Sequence, residues 1–217
     1  MGSQRGAVLE RGLAPTKPLI ILIGGTAGSG KTTLSRSISE RLALSHRLGT
    51  GFIRETIRTI IPIQQNPALH KYSFDTMDPG DQNNVLEVLL TQAKILKPAI
   101  ENCIRRAFDE GISLVMEGAH LVPGVIDASL ASLFIVLEVQ PDDELLRRVQ
   151  GDTHYKRLLT DNQKARVPKV QLELVKLARL NAIEVLENTD LNATTTKIEK
   201  LLRLTSKTLP YSMGRLG

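Results

Sequence analysis

The glycines, lysine and threonines of the segment GGTAGSGKTT, residues 24–33, have types and a spacing that suit phosphate chemistry. From Gly25 to Thr32 they match G-x-x-x-x-G-K-[ST], in which glycines leave room for backbone N–H groups to surround phosphate oxygens. Lys31 adds a cation that can follow the β- and γ-phosphates, and the Thr32 hydroxyl can ligate Mg²⁺. The motif predicts that ATP or GTP binds with Mg²⁺, through Gly25, Thr26, Ala27, Gly28, Ser29, Gly30, Lys31, Thr32 and Thr33.

A carboxylate, Glu117, directly follows the apolar run Ile112–Met116. The carboxyl end of a buried parallel strand lies in the crevice where such sheets bind ligands. We therefore expect Glu117 to be catalytic together with Lys31, either holding a Mg²⁺-bound water or orienting an attacking hydroxyl. His120, three residues further on, is either a substrate contact or an ordinary loop histidine.

Two arginines, Arg54 and Arg58, follow the candidate strand Arg47–Thr50. Because they are four residues apart they share one face of a helix, and each guanidinium can form paired hydrogen bonds with a carboxylate or a phosphate. This arrangement suits a small substrate that carries both groups. A solvent-exposed face on which Glu55 neighbours the arginines explains the same pattern, so both interpretations stay open.

Basic residues are also frequent in the segment Gly151–Val167, which has few apolar residues and is a candidate lid. A closing arginine would offset the charge that builds on a transferring phosphoryl group and would exclude water. The candidates in and just before this segment are Arg147, Arg148, Lys156, Arg157 and Arg166. We expect Arg157 to be the catalytic member of this group.

Alternating apolar and amphipathic stretches must position these residues. The apolar runs Leu19–Ile23, Ile112–Met116 and Leu133–Val139 predict strands buried on both faces, as in a parallel sheet. Further strands are expected at Arg47–Thr50 and Ile183–Leu186, and helices at Thr32–Leu44, Ile53–Ile61, Asn83–Glu110 (kinked or split at Pro98), Asp142–Val149, Pro168–Leu180 and Thr194–Leu204. The alternation predicts an α/β fold, a doubly wound and mostly parallel sheet with helices on both faces. We expect a single domain at 19–205, between a flexible leader at 1–18 and a tail at 206–217.

Length and composition exclude several classes of protein. The 217 residues are 41% hydrophobic and 24% charged, which argues against a disordered chain. Cys103 is the single cysteine, which excludes an internal disulfide and a cysteine-based zinc site. The net charge of +5 is dispersed along the chain, which favours a small anionic substrate over nucleic acid. The run Leu19–Ile23 is too short to span a bilayer, so we expect a cytoplasmic protein with no membrane partner.

Four segments together resemble 2-phosphoglycerate kinases: residues 24–33, Thr50–Arg58 with its Ile-Arg-Glu, NPALHK at 66–71, and VMEGAHLVPG at 115–124. The Glu-Gly-x-His-Leu-Val-Pro-Gly stretch is the most specific of them, and the resemblance extends from Leu19 to Leu204. It implies a P-loop kinase fold and the ATP- and Mg²⁺-dependent phosphorylation of 2-phosphoglycerate to 2,3-bisphosphoglycerate. The substrate-binding residues would be Thr50, Gly51, Arg54, Arg58, Lys71 and His120.

One position departs from the family's pattern. In sequences of this type we expect Thr-Asp before the Ile-Arg-Glu helix, and here the pair is Thr50-Gly51. Related small-molecule kinases use that aspartate to orient the acceptor hydroxyl or a metal-bound water. Either Glu117 carries the role alone, or Asp75 or Asp78 takes part, or the protein is slow, altered in substrate or deliberately mutated. We expect a reduced activity that Gly51→Asp raises.

Other functions are compatible with the phosphate-binding motif. The chain has no Asn-Lys-x-Asp signature for guanine, which weakens the interpretation as a signalling GTPase. A kinase of another small substrate, such as a sugar-nucleotide kinase of the zeta-toxin type, would share the loop, the strand-end carboxylate and a basic lid. A regulatory nucleotide-binding protein with little turnover is the alternative from another class, and Gly51 is its main support.

Overall fold

A computed structural model describes residues 17–78, 84–151 and 159–208. Within these ranges five strands form one parallel sheet in the order β2-β3-β1-β4-β5. The strands are β1 (Ile20–Gly24), β2 (His46–Gly49), β3 (Leu114–Glu117), β4 (Leu133–Glu138) and β5 (Glu184–Glu187). The helices are α1 (Lys31–Arg41), α2 (Thr50–Arg58), α3 (Glu87–Asp109), α4 (Asp142–Gln150), α5 (Asp161–Leu180) and α6 (Leu191–Thr208), with short 3₁₀ helices at Pro67–His70 and Ala128–Leu130.

The central strand β1 is buried on both faces. Its side chains alternate, so that Ile20 and Leu22 join the core beneath α3 and α5, whereas Ile21 and Ile23 join the core beneath α1 and α6. Each fully buried isoleucine or leucine contributes about 1.5–3 kcal/mol to folding. The predicted doubly wound parallel sheet is confirmed, and it gathers the carboxyl ends of β1, β2 and β3 at one edge.

Helix α2 begins earlier than the apolar pattern predicts. The sequence indicates a helix over 53–61, but the structure begins it at Thr50 and ends it at Arg58. Strand β2 stops at Gly49, whose extended backbone is the N-cap, so the chain turns directly from strand into helix. This junction places Thr50 at the first helical position beside the end of β3.

Helix α3 is continuous from Glu87 to Asp109 with Pro98 inside it, so of the predicted kink or split at Pro98 the split is excluded. The proline ring lies on the exposed side, where its missing N–H costs least. The buried residues Leu96, Ile100 and Ile104 on the opposite side hold both halves of the helix against the sheet.

Helix α5 begins at Asp161, seven residues before the predicted start at Pro168. Thr160 and Gln163 form a capping box, each side chain bonding the other's backbone N–H, and this fixes the earlier start. The second half of the candidate lid is therefore helical. Lys156 and the predicted catalytic Arg157 lie outside the described residues, as do most of the expected leader and tail. In the part of the chain that the structure describes, no helix has the length and apolar character that crossing a membrane requires.

Candidate active site

The phosphate-binding loop connects the end of β1 to the start of α1, as its sequence predicts. Gly30, the residue before α1, has φ +84°, and a Cβ placed on it would lie 2.4 Å from Nδ2 of Asn188. Glycine is therefore required here by both the backbone conformation and the neighbouring side chain. The turn aims the first N–H groups of α1 into the loop, where an anion is stabilised by them and by the helix dipole.

Lys31 lies across the loop that precedes it. Its Nζ donates to the carbonyl oxygen of Thr26 at 2.6 Å, and the same oxygen accepts from the Ser29 hydroxyl at 3.0 Å. The ammonium group is thus held beside the loop's backbone amides by main-chain acceptors. This is where a cation can offset the charge of a bound triphosphate.

Thr32 and Glu117 meet at the carboxyl edge of the sheet. Parallel pairing sets Ile23 of β1 opposite Glu117 of β3, and the Thr32 hydroxyl donates to Oε1 of Glu117 at 3.0 Å. Among the described residues no group of three or more His, Cys, Asp or Glu side chains converges on a metal site. One hydroxyl and one carboxylate still fit Mg²⁺, since this ion usually takes few protein ligands and completes its shell with phosphates and water.

Thr50 packs against the turn that follows Glu117. Gly118 has φ +153°, and a Cβ placed on it would lie 1.8 Å from Oγ1 of Thr50. Only glycine lets the Thr50 hydroxyl approach the turn so closely. The hydroxyl also lies 2.9 Å from Nδ1 of His120, and both side chains are buried.

The His120 imidazole is enclosed and has partners on both nitrogens. Its Nε2 lies 3.1 Å from Oε1 of Gln92, a buried residue of α3. Burial, together with the smaller effect of the positive charges of Arg54 and Lys31, lowers the pKa of His120 to about 3. The ring is therefore neutral near pH 7. Nothing in the motif E-G-x-H indicates Gln92, which lies 28 residues away along the chain.

Arg54 and Arg58 share one face of α2, as their spacing predicts, and Glu55 lies between them. Both guanidinium groups donate to the Glu55 carboxylate, Arg54 at 2.9 Å and Arg58 at 2.8 Å. Partial burial raises the pKa of Glu55, but the hydrogen bonds from the two arginines outweigh it and lower the pKa overall. Arg54 also donates to the carbonyl oxygen of Lys71 at 3.0 Å, which connects α2 to the segment 66–71.

Lys71 lines a cavity of about 320 Å³ between the segment 71–76 and the start of α5. Asp75, on the same wall, accepts hydrogen bonds from the Tyr72 N–H and from Gln163. Arg166, one of the candidate cations of the lid, is buried and donates to the carbonyl oxygen of Phe74. That expectation is wrong for Arg166, because the capping box extends α5 and carries this residue into the core.

Two further residues lie next to the phosphate-binding loop: Asn188, which no sequence motif indicates, and Arg148, which the sequence makes a candidate cation of the lid. The Asn188 side chain, buried just after β5, donates to the carbonyl oxygen of Ser29 at 2.8 Å. Arg148 of α4 in turn donates to the carbonyl oxygen of Asn188 at 2.7 Å and pairs with Glu144. Arg148 therefore holds Asn188, which in turn bonds the phosphate-binding loop at Ser29. Its neighbour Arg147 is exposed, and among the described residues it pairs with Glu144 alone.

The chain is similar in sequence to known proteins. The family described as AAA domain matches residues 21–169. The chain is 30% identical to the 2-phosphoglycerate kinase of Thermococcus kodakarensis over 189 residues, which cover 83% of this chain and 64% of the relative. It is 29% identical to the 2-phosphoglycerate kinase of Pyrococcus furiosus, with 83% and 63% covered. The chain thus spans slightly less than two thirds of the length of these relatives.

Solved structures share the fold at lower identity. A gluconokinase from Sinorhizobium meliloti superposes with a TM-score of 0.53 at 14% identity, over 88% of this chain and 95% of the other. A shikimate kinase from Acinetobacter baumannii in complex with shikimate gives 0.52 at 19% identity, over 90% and 97%. At these identities the likeness concerns the fold alone.

Proposed function

Since the chain belongs to the AAA domain family, we propose, from the geometry of its site, that it is a kinase that transfers the γ-phosphoryl group of ATP to a hydroxyl of a small anionic acid. The acceptor we propose is 2-phosphoglycerate and the product 2,3-bisphosphoglycerate. The observation that carries the proposal is the contact between Thr32 and Glu117, which sets a hydroxyl and a carboxylate beside the phosphate-binding loop. The names of the relatives supply the acceptor.

On the nucleotide side, the backbone N–H groups of the loop and the Lys31 ammonium would bind the phosphate oxygens. Thr32 and Glu117 would hold Mg²⁺, which when bound offsets charge on the β- and γ-phosphates. Phosphoryl transfer needs positioning and charge stabilisation more than covalent help from the protein. Glu117 is also the carboxylate best placed to orient the acceptor hydroxyl, since Gly51 offers no side chain.

On the acceptor side, Arg54, Arg58 and Lys71 would bind an acid that carries a carboxylate and a phosphate. Both arginines pair with one carboxylate, that of Glu55, and this supports the proposal that they can bind a carboxylate or a phosphate. Thr50 and Gly51 would border the acceptor at the start of α2. Arg157 stays the proposed catalytic cation of the lid.

An ADP-release assay tests this function. The protein with ATP and Mg²⁺ should release ADP when 2-phosphoglycerate is added, and 2,3-bisphosphoglycerate should appear in equal amount. The isomer 3-phosphoglycerate carries the same charge with the hydroxyl and phosphate exchanged, and is the matched control. ADP release with neither acid, or with 3-phosphoglycerate alone, would overturn the proposed acceptor.

A regulatory nucleotide-binding protein is the second candidate, because Gly51 stands where a carboxylate is expected. Tight ATP binding without ADP release over a panel of small phosphorylated acids and sugar nucleotides would favour it. ADP release with a sugar nucleotide alone would instead favour a kinase of the zeta-toxin type.

A further inference from the structure

The tautomer of the buried His120 follows from its neighbours. Gln92 directs Nε2 toward two carbonyl oxygens, those of Ala68 at 2.8 Å and Lys71 at 2.9 Å. Carbonyl oxygens only accept, so this end of the amide is the NH₂ group, and the oxygen Oε1 faces His120. Nε2 of His120 must therefore carry the ring's proton in order to donate to Gln92.

The other ring nitrogen then fixes the direction of the next hydrogen bond. With its proton on Nε2, a neutral imidazole accepts at Nδ1, so the Thr50 hydroxyl donates to it. The result is a directed chain of hydrogen bonds from Thr50 through His120 and Gln92 to the carbonyl oxygens of Ala68 and Lys71. All three side chains are almost fully buried, and we call them the buried relay.

The relay connects the two sides of the site. At one end, Thr50 packs against Gly118, the residue after Glu117. At the other end, the Lys71 carbonyl accepts from Gln92 and also from Arg54 of α2. Two donors fix the backbone at Lys71, and its side chain lines the 320 Å³ cavity.

We infer that His120 is a positioning residue, which through the buried relay holds Lys71 at a fixed distance from the turn after Glu117, so that an acceptor acid bound by Lys71 has its hydroxyl directed to the transferring phosphoryl group. The acceptor's identity rests on the function proposed above. His120 does not take the acceptor's proton, since both ring nitrogens are bonded within the protein. The expected direct contact between His120 and substrate is replaced by this indirect role.

Two variants of His120 separate the two ends of the relay. Glutamine can reproduce the Nε2 donor toward Gln92, whereas asparagine is shorter and can reproduce only the acceptor toward Thr50. We expect His120→Asn to raise the KM for the acceptor acid roughly tenfold or more, and His120→Gln to raise it less than about threefold. The KM for ATP should stay within about twofold in both. Gln92→Leu should behave like His120→Asn.

Equal effects on the two KM values, or an unchanged acceptor KM in both His120→Asn and Gln92→Leu, would overturn the inference. Two measurements do not require turnover. Nitrogen-15 NMR of the wild-type imidazole should show the proton on Nε2, and a proton on Nδ1 would overturn it. Amide hydrogen exchange in residues 66–72 should speed up in His120→Asn and Gln92→Leu but little in His120→Gln.

These measurements distinguish two kinds of failure. If the wild-type protein releases no ADP with 2-phosphoglycerate, the proposed acceptor fails, and NMR with hydrogen exchange still decides the role of His120. If the wild-type protein turns over and the relay variants leave acceptor KM and exchange unchanged, the inference fails and the proposed function stands.

Discussion

The nucleotide side of the site and the proposed acceptor side are formed by different kinds of chemical group. Around residues 25–32 the groups that would face a phosphate are mainly backbone amides, in a short turn that leads into the start of α1. On the acceptor side they are side chains from α2, α3, the turn after β3 and the segment 66–71, and they hold one another in place. A backbone cradle suits any triphosphate, whereas a set of paired side chains can be tuned to one acid.

The first prediction compares Lys31 on the nucleotide side with Lys71 on the proposed acceptor side. Lys31→Ala should lower kcat/KM roughly 10³-fold, because the phosphoryl group loses its nearest loop cation. Lys71→Ala should raise the acceptor KM roughly tenfold and leave the ATP KM nearly unchanged. Steady-state ADP release with each substrate varied in turn measures both. Unchanged turnover in Lys31→Ala would remove the kinase assignment.

The second prediction concerns the strand-end carboxylates. Glu117→Gln should lower kcat roughly 100-fold and raise the Mg²⁺ concentration needed for half-maximal rate, because an amide is a weaker ligand for Mg²⁺. Glu138, the last residue of β4, is the matched control, since it also ends a parallel strand beside β1. We expect Glu138→Gln to change kcat less than about twofold. Equal losses in the two variants would indicate a general effect on the sheet edge.

The same contrast explains which residues of the site can be predicted from the sequence. The loop, Lys31, Thr32 and Glu117 were predictable because each lies in a short motif or at the end of an apolar run, and the parallel sheet then brings them together. Gln92 and Asn188 were not predictable, because their contacts join residues far apart in sequence and depend on helix placement. Arg166 was misassigned because charge alone does not show that a capping box turns a basic segment into a buried helix.

The helix boundaries predicted from the apolar pattern are wrong for a related reason. The apolar pattern of α2 begins at Ile53, yet the helix begins at Thr50, where Gly49 ends the strand. Periodicity indicates which side chains face the core, and it does not predict a first turn in which Thr50 packs against Gly118 and His120. Thr50 and Gly51, which lie before the apolar pattern begins, are among the residues proposed to border the acceptor.

Acid should destabilise the protein through His120 on the acceptor side. The pKa of His120 is lowered from 6.5 to about 3 in the folded state, so the unfolded chain binds the proton first as the pH falls. The stability present above pH 6.5 is thus lost progressively toward pH 3, and by about pH 5 the loss is about 2 kcal/mol. Urea unfolding well above pH 6.5 and at about pH 5, with His120→Gln as reference, isolates this contribution. An equal loss in the variant would contradict the prediction.

The smallest predicted effect comes from placing a carboxylate at position 51, where this chain has glycine. Gly51 is exposed in the first turn of α2, and a Cβ placed there meets no heavy atom within 4 Å. Gly51→Asp is therefore sterically free, and a carboxylate at this position can orient an acceptor hydroxyl or a metal-bound water. We expect kcat/KM for the acid to rise roughly fivefold to tenfold.

The control for this variant is Gly51→Ala. Both substitutions should stabilise α2, alanine by about 0.5–1 kcal/mol through reduced backbone freedom and aspartate also through the helix dipole. Thermal unfolding measures that shared gain, and the ADP-release assay measures what the carboxylate adds. A rise in kcat/KM confined to Gly51→Asp assigns the gain to chemistry. An equal rise in both would assign it to a firmer helix, and no rise in either would show that Glu117 already does the work of the absent aspartate.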